Sequence, residues 1–367
     1  MNAQPHPETS AAGLPPIPLI DARNGGALRH ATASVLRARA LRDDCLAFFP
    51  SATAPLLPWL DAVTRRWLMR SQSPYVGEIA AIASVLGLSG IWFLNGSYQW
   101  GCTALAREED GFPWLARTLD WPFPGLGGHL EIAWKAGPAG DFYSATWPGY
   151  VGALSAMAPR RFAACVNQAP LFRRTQHPWL RPYDLAANAL RTWGIRHMPP
   201  DHLLRQVFES CEDFAAARRM LEITPIARPV IYTLIGRAPG ERCVIERTEE
   251  GFATREDETA AANDWLRAAP NWEGRMRADL MLSCSYQEAG DNSRKRRETL
   301  ADFSGSLARD CFAWICEPVL NPYTRLAVEM CPARGIMRVV GYDVVAGCAL
   351  PQPVTQMREI AGEKAAA

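Results

Sequence analysis

Residues 95–120 read NGSYQWGCTALAREEDGFPWLARTLD, and this stretch decides the fold. CTALARE and FPWLARTL are short strand-like runs on either side of Glu109-Asp110-Gly111. Asp-Gly between two such runs is a strong signal for a two-residue hairpin turn. With Asp110 and Gly111 as the turn, Cys102 lies opposite Leu119, with Arg117 and Asp120 beside it. Side chains so placed sit within about 5–8 Å of one another. A thiol, a guanidinium and a carboxylate thus gather at one strand end.

That trio has a chemical use. A free thiol has a pKa of about 8.5 and is mostly protonated at neutral pH; a neighbouring arginine favours the thiolate. No histidine sits in a context that would supply a base. A free α-amino group, with a pKa of about 7.7–8.0, could serve if Cys102 were the first residue of a chain. That requires cutting the Gly101–Cys102 bond, and Gly101 has no side chain to obstruct the thiol. The alternative is a half-buried cysteine beside a surface ion pair.

Outward from the hairpin the pattern changes on both sides. Residues 1–18 are polar and Pro-rich and read as a flexible tail. With no basic start and no apolar stretch, they lack the form of a secretory signal, so a cytoplasmic location is expected. Residues 19–101 read as a helical segment, with helical periodicity over 27–95. Its most apolar run, Ile79 to Leu94, is short of the roughly 20 residues a membrane span needs and reads as a buried helix. From Cys102 onward short strands dominate, interrupted by helices at 180–222 and 294–316. The hairpin TRLAVEMC/IMRVVGYDV closes a catalytic-domain candidate over 102–350, and 351–367 reads as a second flexible tail. Strands joined by tight turns, with no regular β-α-β alternation, indicate an α+β protein built on antiparallel sheets.

The 367 residues are 48% hydrophobic and 21% charged, which excludes a disordered chain, a collagen-like fibre and a disulfide miniprotein. Lys and Arg number 39 against 38 Asp and Glu, so a nucleic-acid partner is not expected. The ten cysteines are scattered, with no CxxC pair and no histidine cluster. Reduced thiols are expected, with no metal site. Phosphate-loop, zincin, GxSxG and EF-hand motifs are absent, and no cofactor is implied.

Several stretches resemble the acid ceramidase and N-acylethanolamine-hydrolysing acid amidase family, N-terminal-nucleophile hydrolases related to choloylglycine hydrolases. They are PYVGEIAAI (74–82), CTALAREEDGFPWLARTLDWPF (102–123), WPGYVGALSAMAPRRFAACVNQ (147–168), AANDW (261–265), DNSRKRRETLADF (291–303) and PVLNPYTRLAVEM (318–330). The resemblance runs from about 14 to 343. It implies an αββα sandwich of antiparallel sheets preceded by a helical segment. It also implies self-cleavage before Cys102 into an α-subunit (1–101) and a β-subunit (102–367) that stay together as a heterodimer.

By the same resemblance Cys102 is the nucleophile and its α-amine the base. Arg117 stabilises the thiolate, Asp120 orients the amine and Asn263 holds the oxyanion. Asn167 and Arg294 fall on further site positions, with Arg296 the alternative for the second arginine. The implied substrate is a small N-acyl compound, lipid-like, such as an N-acylethanolamine or a ceramide. Departures from the family pattern are Ala262 where a Thr is usual, Ser293 where relatives carry Asp, a shorter Tyr98-to-Cys102 spacing and no C-terminal cysteine pair. An acyltransferase on the same scaffold, or a non-catalytic homologue touching a membrane through the helices around Arg65, Arg66, Trp67 and Leu68, are the competing readings. Trp100, Trp114, Trp121, Phe123 and Trp147 either line an acyl pocket or pack the core. Glu78 reads as a buried partner at the junction of the two pieces, and Asn321 as a strand-start residue.

Overall fold

The structure is a computed structural model, and it describes residues 13–48, 55–97, 101–267, 269–273 and 286–361. Strand β1 (Leu19–Asp21) leads into helices α1 (Gly26–Ala33), α2 (Val35–Ala47), α3 (Leu57–Leu68), α4 (Val76–Leu86) and α5 (Ile91–Gly96). The hairpin β2 (Gly101–Glu109) and β3 (Phe112–Asp120) follows, then β4 (Glu131–Gly137), β5 (Gly140–Thr146), β6 (Ser155–Ala158), β7 (Phe162–Gln168) and β8 (Leu171–Phe172). Helices α6 (Arg181–Gly194), α7 (Pro200–Ser210) and α8 (Phe214–Ile223) precede β9 (Val230–Ile235), β10 (Arg242–Arg247), β11 (Phe252–Arg255), β12 (Ala260–Ala261) and β13 (Trp272–Glu273). Helix α9 (Tyr286–Ala301) and strands β14 (Thr324–Cys331), β15 (Ile336–Asp343), β16 (Gln352–Pro353) and β17 (Arg358–Ala361) complete the order.

The strands form two large sheets. One runs β1-β4-β5-β6-β7-β9-β10-β11, the other β12-β2-β3-β14-β15-β16 with β17 also on β15. Alternating apolar side chains from both inner faces interdigitate: Cys102, Leu115 and Leu119 from one sheet, Ala163, Cys165 and Ile235 from the other. Helix α7 covers the outer face of the first sheet with Leu203, Leu204, Val207 and Phe208. Phe208 packs on Phe142 and Phe162 at 5.4 and 4.7 Å between ring centres. Helix α9 and the loop after it cover the second sheet, burying Leu300 and Trp314 against Trp114 and Val340. The architecture is therefore α+β, an αββα sandwich, as expected.

The hairpin forms as its sequence dictates. Asp110 and Gly111 have φ of 52° and 77°. Both lie in the left-handed region that a primed turn needs and that Gly, and after it Asp, adopts most cheaply. Cys102 pairs with Leu119 and Gly101 with Asp120.

Three expectations are corrected. The tail at 1–18 is packed over its described part: Ile17 is buried, and Ile132 N–H donates to Pro18 O at 2.9 Å. The tail at 351–367 carries β16 and β17, and Gln356 N–H donates to Pro15 O at 3.0 Å, so the two ends meet. Strand pairing is antiparallel as expected, apart from the parallel β1–β4 pair. The helix expected at 294–316 instead ends at Ala301, and 302–316 is a run of turns over the second core.

The helical segment is tied to the strands by buried polar contacts as well as by β1. Glu131 on β4 is buried and meets His30 at 2.6 Å, Ser34 at 2.9 Å and Arg37 at 2.6 Å. Asn95 donates to Gly149 O and accepts from Val151 N–H, at 2.9 and 2.8 Å. Glu78 pairs with Arg205 on α7 and accepts from Ala27 and Leu28 N–H at the start of α1.

Candidate active site

Cys102 opens β2 on the inner face of its sheet and is fully buried. Arg117, two residues along from its partner Leu119, points to the same face, since alternate strand residues do. Its guanidinium crosses the gap between the sheets. Nη2 lies 3.1 Å from Cys102 Sγ and donates to Val166 O at 2.8 Å. Nη1 donates to Leu154 O at 2.9 Å and to the Ser155 hydroxyl. Among the described residues no carboxylate comes within ion-pair distance of Arg117. Burial pushes the Cys102 thiol above its ordinary value, and Asp120 adds to the rise, while Arg117 and Arg296 oppose it. In the uncut chain this is a protonated thiol beside an unneutralised cation.

Asp120 closes β3, opposite Gly101. A Cβ at Gly101 would sit 3.1 Å from Asp120 Cβ and 3.2 Å from its Oδ2, so a larger residue before Cys102 would push Asp120 aside by a few tenths of an ångström. Asp120 is buried, and Thr324 and Asn321 donate to its two oxygens at 2.9 and 2.8 Å. Burial raises its carboxyl above the usual range, against the pull of Arg296 and these two donors.

Asn263 follows β12, which pairs with β2. Its Oδ1 accepts from Cys102 N–H at 2.8 Å and from Arg296 Nη2 at 3.0 Å, and its Nδ2 donates to Gln168 O at 2.8 Å. Two converging donors fix the amide orientation. The uncut chain therefore uses Asn263 to hold the nitrogen of the Gly101–Cys102 bond. Donation to an oxyanion would need Nδ2 to leave Gln168 O. Asn167 on β7 is buried just behind: Nδ2 donates to Ala262 O at 3.1 Å, and Oδ1 has no partner among the described residues.

The second arginine is corrected. Arg294 is more than half exposed and pairs with Asp291 at 3.1 Å on the surface of α9. Arg296 is the one that enters the site. It donates to Cys102 O at 2.8 Å, Thr103 Oγ1 at 3.0 Å and Asn263 Oδ1 at 3.0 Å, and lies 3.8 Å from Asp120. Helical phase separates the two: Ala289, Ser293, Arg296 and Leu300 share the buried stripe of α9, whereas Arg294 lies off it. That 4-3-4 spacing was a signal in the sequence. Thr324 and Asn321 were missed because their partner, Asp120, is some 200 positions away.

Of the aromatic residues, Trp121 and Phe123 line an apolar cleft with Leu41, Cys45, Leu57 and Leu94 from the helical segment. Trp147 backs Trp121 edge-on at 5.7 Å. Trp114 is buried in the second core instead. Trp100 and Tyr98 lie outside the described residues. Among the described residues no group of His, Cys, Asp and Glu is arranged to hold a metal ion.

The site thus sits between the two sheets of an αββα sandwich, with a cysteine near the start of β2 beside a buried arginine. No family model matches the chain. It is a relative of proteins named N-acylethanolamine-hydrolyzing acid amidase: 28% identical over 207 residues to that of Cavia porcellus (54% of this chain, 55% of that one), and 27% over 208 residues to that of Rattus norvegicus (54% of each). It is 26% identical over 222 residues to a probable acid ceramidase of Caenorhabditis elegans, covering 55% of this chain and 54% of the relative. The chain spans about half the length of the curated relatives it matches. Similar solved structures include an N-acylethanolamine-hydrolyzing acid amidase ortholog of C. elegans, at TM-score 0.45 and 16% identity over 63% of this chain and 93% of that one. Another is a conjugated bile acid hydrolase from Clostridium perfringens, at 0.38 and 11% over 71% and 92%.

Proposed function

We propose that this chain is a cysteine amidase that cuts itself between Gly101 and Cys102 and then hydrolyses the C–N bond of a linear N-acyl amide. One observation carries the reading: a fully buried guanidinium, Arg117, whose single ionisable partner within hydrogen-bond reach among the described residues is the Cys102 thiol. A buried charge is costly unless paired, and a thiolate pairs it.

In the first step the thiol adds to the Gly101 carbonyl, the nitrogen leaves as the Cys102 α-amine, and water hydrolyses the thioester to a Gly101 carboxylate. The freed amine then takes the thiol proton, Arg117 holds the thiolate, and Asp120 accepts from the resulting ammonium. The thiolate attacks the substrate carbonyl, the amine half leaves with a proton, and water releases the acid. Arg296 already donates to the backbone carbonyl of Cys102 and to Asn263, and it would fix both against the strand. The two pieces would remain a heterodimer, held by the β1–β4 pairing and the buried contacts around Glu131 and Glu78.

Two features support an apolar acyl group: the names of the relatives and the cleft of Trp121, Phe123 and Leu94. Trp67 and Leu68, expected at a membrane contact, are buried, but Trp59 on α3 and Met69 just after it are exposed near Arg65 and Arg66, which supports peripheral contact with an anionic bilayer. No helix among the described residues is long and apolar enough to cross a membrane.

Intact mass under denaturing conditions tests the first step. Pieces spanning 1–101 and 102–367 are expected, and a single uncut chain at every pH sinks the proposal. A paired substitution tests the second arginine. Arg294→Ala should leave hydrolysis within about twofold, as surface changes usually do. Arg296→Met should lower it on the order of 100-fold, in line with losing a buried donor set at a reacting centre.

A further inference from the structure

We infer that Asn321 and Thr324 are positioning residues that hold Asp120 ionised and aimed at the Cys102 nitrogen; this rests on the amidase reading above. The loop 319–324 leads into β14, whose Thr324 pairs with Asp120, and the register then slips by one residue before Leu326. Such a bulge re-aims a side chain next to a sheet edge. Here it turns the Thr324 hydroxyl onto Asp120.

The proton positions follow from the partners. Thr324 Oγ1 accepts the Asn321 N–H at 3.1 Å, so its own hydrogen goes to Asp120 Oδ1 at 2.9 Å. Asn321 Oδ1 accepts the Tyr323 N–H at 3.1 Å, so its Nδ2 points the other way and donates to Asp120 Oδ2 at 2.8 Å. The loop itself is pinned by Trp121 N–H donating to Tyr323 O at 2.7 Å and by Thr324 N–H donating to Asn321 O at 2.9 Å. Each oxygen of the carboxylate thus receives one donor whose direction is set by a backbone N–H. Oδ2 is the oxygen that faces Gly101, the residue that departs on cleavage, and it keeps a lone pair for the new amine.

The charged and titratable groups facing Asp120 are Arg296 from α9, Arg325 from β14 and Cys102 from β2. Arg296 is 3.8 Å away and hydrogen-bonded elsewhere. Arg325 donates to Phe123 O at 2.8 Å and lies 3.7 Å from Asp343. The two neutral donors are therefore what the carboxylate holds directly. Donors to the ionised form favour it, so removing one raises the pH at which Asp120 protonates.

The test measures hydrolysis of a long-chain N-acyl aminocoumarin as a function of pH. Thr324→Val keeps the shape and loses the hydroxyl. It should lower kcat roughly tenfold, leave KM within about twofold and move the acid limb up by about one pH unit, the scale of a hydrogen bond to a charged group. Thr324→Ser should restore both rate and limb. Asn321→Asp keeps the oxygen that caps Tyr323 but sets a carboxylate against Asp120, and should move the limb further in the same direction; it reads the same limb should Thr324→Val fail to accumulate. If the limb stays in place in these variants while wild type hydrolyses the probe, or if only the thermal midpoint falls, the two residues are merely structural and the inference is overturned. A wild-type chain that neither cuts nor hydrolyses would instead overturn the amidase reading, and the inference with it.

Discussion

Cys102→Ala is expected to leave the chain in one piece and to reduce amide hydrolysis by a factor on the order of 10⁴ or more, the scale seen when a covalent nucleophile is removed. The same substitution should barely disturb the fold. Cys102 is small and buried, and losing its sulfur costs about 1 kcal/mol by the usual cavity arithmetic. The contacts that set its strand run through the backbone: Leu119 across the hairpin, Asn263 on its N–H and Arg296 on its C=O. Thermal unfolding of the variant should thus overlay that of uncut wild type, while intact mass shows no fragment ending at Gly101. If the variant still splits there, the thiol is not the attacking group. If the variant is intact but hydrolyses the substrate, the site lies elsewhere. Cys102→Ser separates chemistry from geometry: a hydroxyl fits the space but is far harder to ionise beside Arg117, so cleavage should persist only as a slow trace.

The part of this site that was legible in the sequence is the part built from local chain geometry. Asp110-Gly111 fixes a two-residue turn, the turn fixes the register, and the register places Arg117 and Asp120 around Cys102 without further information. Asn263 and Asn167 depended on matching motif to motif, and both reach the site, although Asn263 meets the Cys102 nitrogen through its oxygen. Arg296 was half legible. The run Arg294 to Arg297 offers several cations, and only the phase of α9 selects among them. Asn321 and Thr324 were not legible as a pair with Asp120, because a β-bulge between distant strands decides where they point. The two ends of the chain failed for another reason. β1, β16 and β17 are two to four residues long, too short for alternation to register, and Pro-rich surroundings mask them. They order because long neighbours offer unpaired edges, and edges left open are a liability.

Arg205→Met should release the 1–101 piece from the cut enzyme. Arg205 on α7 pairs with Glu78 of the helical segment, donates to Glu209 Oε1 at 2.8 Å and Val151 O at 3.1 Å, and lies 4.0 Å over the Tyr75 ring. Tyr75 in turn donates to Glu209 at 2.5 Å. Removing the guanidinium leaves Glu78 and Glu209 without their shared partner and with Lys135 as a nearby cation. Lys135 is buried, and burial pushes its pKa down to about 7, so it replaces the lost charge poorly at neutral pH. Breaking a buried pair from one side costs about 3–5 kcal/mol. Once Gly101–Cys102 is cut, no covalent bond absorbs that cost. Size exclusion at neutral pH should show pieces 1–101 and 102–367 together in wild type and apart in the variant. Co-elution of the variant's pieces would mean that β1–β4 pairing and the Glu131 cluster suffice. The wild-type junction should also weaken in acid. Burial pushes Glu78 up, but Arg205 and the backbone donors outweigh it, and its pKa falls below the ordinary 4.5. A carboxylate lowered in the folded state contributes fully above its unfolded value, and that contribution is lost as pH falls through the folded one. Lys135 acts in the same sense at higher pH: between about 7 and 10.5 the unfolded chain binds a proton that the folded one does not, so stability rises with pH there. The association of the two pieces is therefore expected to hold through neutrality and to fail below about pH 4.5, whereas failure already near neutrality would mean that a contact other than Glu78 with Arg205 controls it.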